Sequence, residues 1–480
     1  MTARVLPFLG HAVLAGSLAA CSSTGLSGEA PLGATVTNSS IETKYQRDDV
    51  AGKKLAMDTS DSTFAGAVVA DEPTAALIGR NALEKGGNAA DAATALYFAL
   101  SVTYPAAAGL GGGGVCLARA ADKPTVETIS FLPRQPISGG PVAVPGNVRG
   151  FALLQAKYGS KSWSELISPA ERLAATGFPV SRATGRQLTD GGLAFANSAD
   201  LRRLFTADGE RGYRELDTFA QVNLATTLAH IRSKGAPGFY TGETARQLIE
   251  QARTKGGALS QADLTNYRAD VAPAQQIQAG DAFVALPAQS LGAGVFSGAL
   301  WNAVLGRSDA AGLTDAADKT ALSLGSPNMS LDRDFGTTSF AVVDAKGGAV
   351  ACSVTLNGAF GSGRAAEAAG VVFASSPAVP RGIASNLLTP VMIINPNNKN
   401  LYFAGAGGGA PKGAAAILHT AQAALADGNT ALPALQASPA DARSPASAII
   451  CPTGLPSGVC TMGVGPKSDG VGFGAVRSGS

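Results

Sequence analysis

Thr337-Thr338-Ser339-Phe340-Ala341-Val342-Val343-Asp344 and Ala349-Val350-Ala351-Cys352-Ser353-Val354-Thr355-Leu356 flank the short segment Ala345-Lys346-Gly347-Gly348. Two β-rich runs around a Gly-containing turn read as a hairpin. With the turn centred on Lys346-Gly347, Thr337 lies opposite the Thr355 to Asn357 end. A strand-leading Thr, a facing hydroxyl and an amide therefore cluster at one end of a sheet. A threonine at a chain's N-terminus can use its own α-amine as the base that activates its hydroxyl. The preceding Asp334-Phe335-Gly336 holds no Pro and reads as flexible. Gly-Thr-Thr is also a common strand opening, so the residues alone leave Thr337 open between a catalytic and a structural role.

Upstream, Ala65 to Ala70 reads as a buried strand. Two helices follow, split by Gly86-Gly87. Pro73 fits the first turn of one, and Asn88 with Asp91 forms a capping box for the other. That second helix, to about Val102, is apolar nearly all round, as a buried central helix should be. Gly109 to Gly114 satisfies G-x-G-x-x-G literally, but a helix precedes it and a strand follows, the reverse of a dinucleotide site. Close helix–strand packing accounts for it better. Helical patterns fill 148–158, 163–176, 224–233, 244–255 and 295–305, with a strand at 282–286. After the hairpin come strands at 391–394 and 401–404 and a helix at 414–426. Strands and helices in separate blocks favour layered α+β packing over a doubly wound parallel sheet.

A formal charge of +2 with 15% charged residues leaves no basic tract, so nucleic acid is not an expected partner. The three histidines are His11, near the N-terminus, and His230 and His419 inside helical patterns. A Ser-His-Asp triad has little to draw on, and any nucleophile needs another base. No spacing suggests a metal site, and no cofactor is expected. Arg4 and the apolar run Val5–Leu18, ending in Leu18-Ala19-Ala20-Cys21, read as a signal peptide (1–20) before a lipidated Cys21. This predicts export and a lipid anchor facing the periplasm, with 21–61 as a flexible tether. Cys451 and Cys460 flank a turn-rich loop and read as a disulfide or as two free thiols. Cys116 and Cys352 sit in apolar runs and read as buried small hydrophobes.

Several blocks, in this order and spacing, resemble the γ-glutamyltransferase family. They are Val68 to Pro105, with Gly-Gly-Asn-Ala-Ala-Asp-Ala at 86–92, and the glycines at 109–114. Val144-Pro145-Gly146-Asn147-Val148-Arg149-Gly150, Gly177-Phe178-Pro179-Val180, Gly238-Phe239-Tyr240-Thr241-Gly242-Glu243 and Leu259-Ser260-Gln261-Ala262-Asp263-Leu264 continue the series. The resemblance implies an N-terminal nucleophile fold, a four-layered αββα sandwich in which 62–336 and 337–480 form one integrated domain. It further implies a precursor that cuts itself before Thr337, whose freed hydroxyl attacks γ-glutamyl amides such as glutathione. The two fragments would stay associated. Thr355 and Asn357 match the family's supporting hydroxyl and amide. Gly408 and Gly409 match the pair whose backbone N–H groups are expected to hold an oxyanion.

The glutamate clamp is where the resemblance weakens. Aligned on Pro136, the family's carboxylate-binding Arg falls on Leu132, leaving Arg134 as a substitute, with Asn386 as a further substrate-binding candidate. The stretch after Gly370-Val371-Val372-Phe373 carries no carboxylate. Three readings stand at this point. The chain is a γ-glutamyl amide hydrolase with a rebuilt clamp, an amidase for another acyl group, or a non-catalytic envelope protein that keeps the fold.

Overall fold

The computed structural model describes residues 55–58, 64–190, 195, 197–324, 331, 333–378 and 382–477. The signal peptide, Cys21 and most of the expected tether lie outside them. In chain order the main strands are β1 (Leu55–Asp58), β2 (Phe64–Ala70), β3 (Gly113–Arg119), β4 (Glu127–Ser130), β5 (Asp270–Pro273), β6 (Gln275–Ala279) and β7 (Ala282–Leu286). After them come β8 (Thr337–Asp344), β9 (Ala349–Thr355), β10 (Thr389–Ile394), β11 (Leu401–Gly407), β12 (Ala446–Leu455), β13 (Val459–Val464) and β14 (Val471–Val476).

These strands form two seven-stranded sheets. One runs β14-β2-β8-β9-β3-β4-β5 and the other β1-β13-β12-β11-β10-β7-β6. Every pairing is antiparallel. The β8–β9 hairpin lies at the centre of the first sheet and pairs Thr337 with Thr355. β1 corrects the tether expectation, because Leu55–Asp58 pairs with β13.

Side-chain alternation along β8 sorts residues into two cores, since successive side chains point to opposite faces of a sheet. Phe340 and Val342 join a core with the helices Pro73–Glu84, Ala89–Thr103 and Asn147–Tyr158. Ala341 and Val343 pack between the sheets, against Met392, Ala404 and Ile449. The outer face of the second sheet packs on the helices Gly292–Ala303, Ala310–Ser323 and Pro411–Ala426. Helix, sheet, sheet and helix make four layers. Both sheets are covered on both faces, which is why β2 and β8 read as continuous apolar runs and not as alternating ones. All described residues fall in one compact unit, Arg47–Ser480, and none of their helices is long and apolar enough to cross a membrane.

Asn88 caps the central helix Ala89–Thr103 with the expected box: its side chain accepts from Ala90 and Asp91 N–H, and Asp91 accepts from Asn88 N–H. All fifteen residues of that helix are buried. The glycine string serves backbone approach more than helix packing. A Cβ at Gly111 would lie 2.0 Å from Val372 O, and one at Gly112 would lie 2.4 Å from Thr355 O.

Two disulfides are present among the described residues. Cys451–Cys460 closes the β12–β13 loop. Cys116–Cys352 corrects the expectation of two buried free thiols. The residues are 236 apart in sequence, but β3 and β9 pair directly and place them opposite each other with Cα atoms 4.1 Å apart. Only the sheet order discloses that proximity.

Candidate active site around Thr337

Thr337 begins β8 and is 5% exposed. On the face it shares with Thr355, the two hydroxyl oxygens lie 3.2 Å apart. Thr355 Oγ1 accepts from Asn357 N–H at 2.9 Å and lies 3.0 Å from Gly336 O and 3.2 Å from Phe335 O. Leu356 N–H also donates to Gly336 O, at 3.0 Å. The carbonyl of the Gly336–Thr337 peptide thus faces two donors, one hydroxyl and one backbone amide. Electron density drawn to that oxygen makes the carbonyl carbon more open to attack.

The segment before Thr337 is pinned, which corrects the reading of flexibility. Asp334 Oδ1 accepts from Gly336 N–H at 2.7 Å, and burial raises the Asp334 carboxyl above its ordinary range. Phe335 is fully buried, and the Arg333 guanidinium lies 4.5 Å above its ring. Gly336 has φ +57°, and a Cβ there would lie 2.0 Å from Gly358 O. Only glycine fits.

Asp71, at the end of β2, holds the next residues of β8. Its carboxylate accepts from Thr338 Oγ1 at 2.7 Å, Ser339 N–H at 2.8 Å and Ser447 Oγ at 3.2 Å. Burial pushes its pKa up to about 6, against the lowering effect of those hydrogen bonds. Sequence reading passed over Asp71, because a lone Asp after a strand carries no signal of what it holds 267 residues away.

Asn357 is buried with φ +58°, a conformation Asn tolerates better than most residues. Its amide is already occupied: Nδ2 donates to Ser375 O at 3.0 Å, and Oδ1 accepts from Ser385 N–H and Ser385 Oγ at 3.1 and 2.7 Å. It supports Thr355 through its backbone N–H. Gly408 does meet Thr337, since a Cβ there would lie 2.5 Å from Thr337 Cγ2. Its N–H donates to Pro445 O at 3.1 Å. What Gly408 supplies is space. Gly409, at φ +78°, turns the chain over Arg443 O toward the helix Pro411–Ala426.

Arg134 is not brought to Thr337. Its guanidinium pairs with Asp270 at 2.5 Å and lies over the Tyr267 ring at 4.7 Å, on an exposed edge. Leu132 instead packs beside a small apolar cluster of Val115, Ala293 and Leu388. Asn386 is exposed and sits against Gly292, whose missing Cβ makes room for its Oδ1. His230 bonds Thr244 across two helices, and His419 lies half-buried in the helix Pro411–Ala426. Among the described residues no group of three His, Cys, Asp or Glu is arranged to hold a metal.

Comparison with known proteins bears on this geometry. The family model described as gamma-glutamyltranspeptidase matches residues 75–301. The glutathione hydrolase proenzyme of Escherichia coli (strain K12) is 29% identical over 395 residues, covering 66% of this chain and 68% of that protein. Over residues 75–301 the chain is similar to the γ-glutamyltranspeptidase family. The glutathione hydrolase proenzyme of Bacillus subtilis (strain 168) is 34% identical over 224 residues. That match covers 42% of this chain and 38% of the relative, so the chain spans well under half of that protein's length in alignment. In three dimensions the chain is similar to a cephalosporin acylase from Bacillus halodurans, with a TM-score of 0.69 over 89% of this chain and 97% of that one. At 18% identity the likeness speaks for the fold. It agrees with the four-layered αββα architecture.

Proposed function

We propose that this chain is a self-processing N-terminal threonine amidohydrolase. The observation that carries the reading is the Gly336 carbonyl, set between the Thr355 hydroxyl and Leu356 N–H beside the Thr337 hydroxyl. Thr337 Oγ1 adds to the Gly336 carbonyl carbon, its proton passes to the peptide nitrogen, the C–N bond breaks, and that nitrogen leaves as the Thr337 α-amine. Water then hydrolyses the ester, giving a Gly336 carboxylate and a free Thr337. In the cut protein that amine accepts the Thr337 hydroxyl proton while Oγ1 attacks an amide substrate. The substrate's amine departs protonated, and water or a second amine takes the acyl group. Thr337→Ala tests this reading: the variant should stay one chain in reducing denaturing gels, and cutting that persists would refute it.

γ-Glutamyl amides such as glutathione are the donors that the relatives' names suggest. The occupied Asn357 amide and the position of Arg134 favour a different acyl group. Export with a lipid anchor on Cys21 fits the two disulfides, since such bonds persist in oxidising compartments. After cleavage, Cys116–Cys352 would tie the fragments 21–336 and 337–480 covalently.

A further inference from the structure

Self-cutting through an ester has two steps, and the second needs a base. Hydrolysis of a Gly336 ester on Thr337 Oγ1 requires a group that takes a proton from water. Neither described histidine serves, since His230 bonds Thr244 and His419 lies in the helix Pro411–Ala426.

A cavity of about 30 Å³ lies beside the residues that precede Thr337, and Asp71, Tyr104, Asp190, Asp334, Arg443 and Asp469 are among its walls. That is room for about two waters. Tyr104, 5% exposed, contributes a phenol hydroxyl that bonds to no described residue. Of the carboxylates, Asp71 spends its oxygens on Thr338, Ser339 and Ser447, and Asp469 pairs with Arg186 at 3.1 Å. Asp190 is exposed.

Asp334 differs from these. Its Oδ1 accepts from Gly336 N–H at 2.7 Å, and its Oδ2 bonds to none of the described residues. The N and C atoms of one residue are about 2.5 Å apart, so Oδ1 lies within about 5 Å of the Gly336 carbonyl carbon. A water bonded to this carboxylate can then stand about 3 Å from that carbon, the spacing of an attack. Burial raises the Asp334 carboxyl above its ordinary range, while Gly336 N–H and Arg443 hold it down. A carboxylate so raised draws a proton from water more readily.

We infer that Asp334 is the base that activates the hydrolytic water in self-cutting, once Thr337 Oγ1 has taken the Gly336 acyl group. This rests on the self-processing reading above. The water oxygen bonds to the Gly336 carbonyl carbon, and its proton passes to Asp334. The C–Oγ1 bond then breaks, and Oγ1 takes that proton back as the Thr337 hydroxyl. Gly336 is left as a carboxylic acid, which ionises at neutral pH. Thr355 Oγ1 and Leu356 N–H are placed to hold the carbonyl oxygen that gains charge.

Asp334→Asn tests this, because its amide oxygen still accepts from Gly336 N–H but takes no proton from water. The variant should melt close to the parent and stop at the amide–ester equilibrium. Spontaneous cutting, followed on reducing denaturing gels, should slow by about 10²–10⁴-fold. Neutral hydroxylamine attacks the ester in place of water, so it should restore cutting and give a small fragment beginning at Thr337. Asp334→Ser also keeps an acceptor for Gly336 N–H and should behave alike, so a misfolded Asn variant leaves the test standing. Variants that cut at the parent rate would overturn the inference and make the freed Thr337 α-amine the base. Folded variants that hydroxylamine leaves whole would overturn it too, placing Asp334 in the first step. In both cases the wild type still cuts before Thr337, and the self-processing reading survives. A wild-type chain that never cuts itself removes both.

Discussion

Cys116 and Cys352 are joined across the centre of one sheet, and the Gly336–Thr337 peptide lies between them in sequence. Cutting that peptide would therefore not separate the fragments in a non-reducing denaturing gel. The expected outcome is one band without reductant and two with it. Two bands without reductant would contradict the assigned bridge. Replacing both cysteines with Ala should release the fragments in either gel. It should also lower stability by about 2–5 kcal/mol, measured by denaturant unfolding.

Thr355 Oγ1 lies 3.0 Å from Gly336 O and 3.2 Å from Thr337 Oγ1, so under the proposed mechanism its hydroxyl should control the rate of self-cleavage. Loss of one donor to a developing oxyanion slows reactions by about 10²–10³-fold. Thr355→Val should slow fragment appearance by that order, while Thr355→Ser should recover most of it. A Val variant that cuts at the parent rate would remove Thr355 from the mechanism.

Gly336 and Gly408 are each required for want of a side chain. A methyl at Gly336 meets Gly358 O, and one at Gly408 meets Thr337 Cγ2. Gly336→Ala should block cutting and cost stability as well, because it adds strain at φ +57°. Gly408→Ala should displace Thr337 and slow both cutting and turnover, with a smaller loss of thermal stability. Cutting time courses with matched melting curves separate the two effects.

Asp71 gives a pH signature. Its pKa is raised from 3.8 to about 6 in the folded state, with burial as the main cause. The folded chain therefore holds this proton more tightly than the unfolded one. The resulting stability is fully present below pH about 4 and is lost as pH rises through about 6. For a fully buried group the shift corresponds to about 3 kcal/mol. Asp71→Asn removes the titration, so the stability of the parent relative to the variant should fall between pH 4 and 7. Parallel curves over that range would contradict the assignment.

Local patterns made much of this molecule legible. The capping box at Asn88 and Asp91 and the wholly apolar helix after it were readable because each depends on neighbours within a few residues. The hairpin turn set the facing of Thr337 and Thr355 for the same reason. What escaped were contacts made by sheet order, Cys116 with Cys352 and Asp71 with Thr338, and the loop contact of Ser385 with Asn357. The partners of Gly408 N–H and of the Arg134 guanidinium escaped as well. A matched motif gives residue types, but whether an N–H or a guanidinium is free depends on Pro445 and Asp270, far along the chain.

The account's central claim is that Thr337 frees itself. Purified protein run on a reducing denaturing gel, with N-terminal sequencing of the smaller band, tests it most directly. The account predicts two bands, the smaller beginning Thr-Thr-Ser-Phe-Ala. A single full-length band under reductant, or a smaller fragment beginning elsewhere, would contradict it.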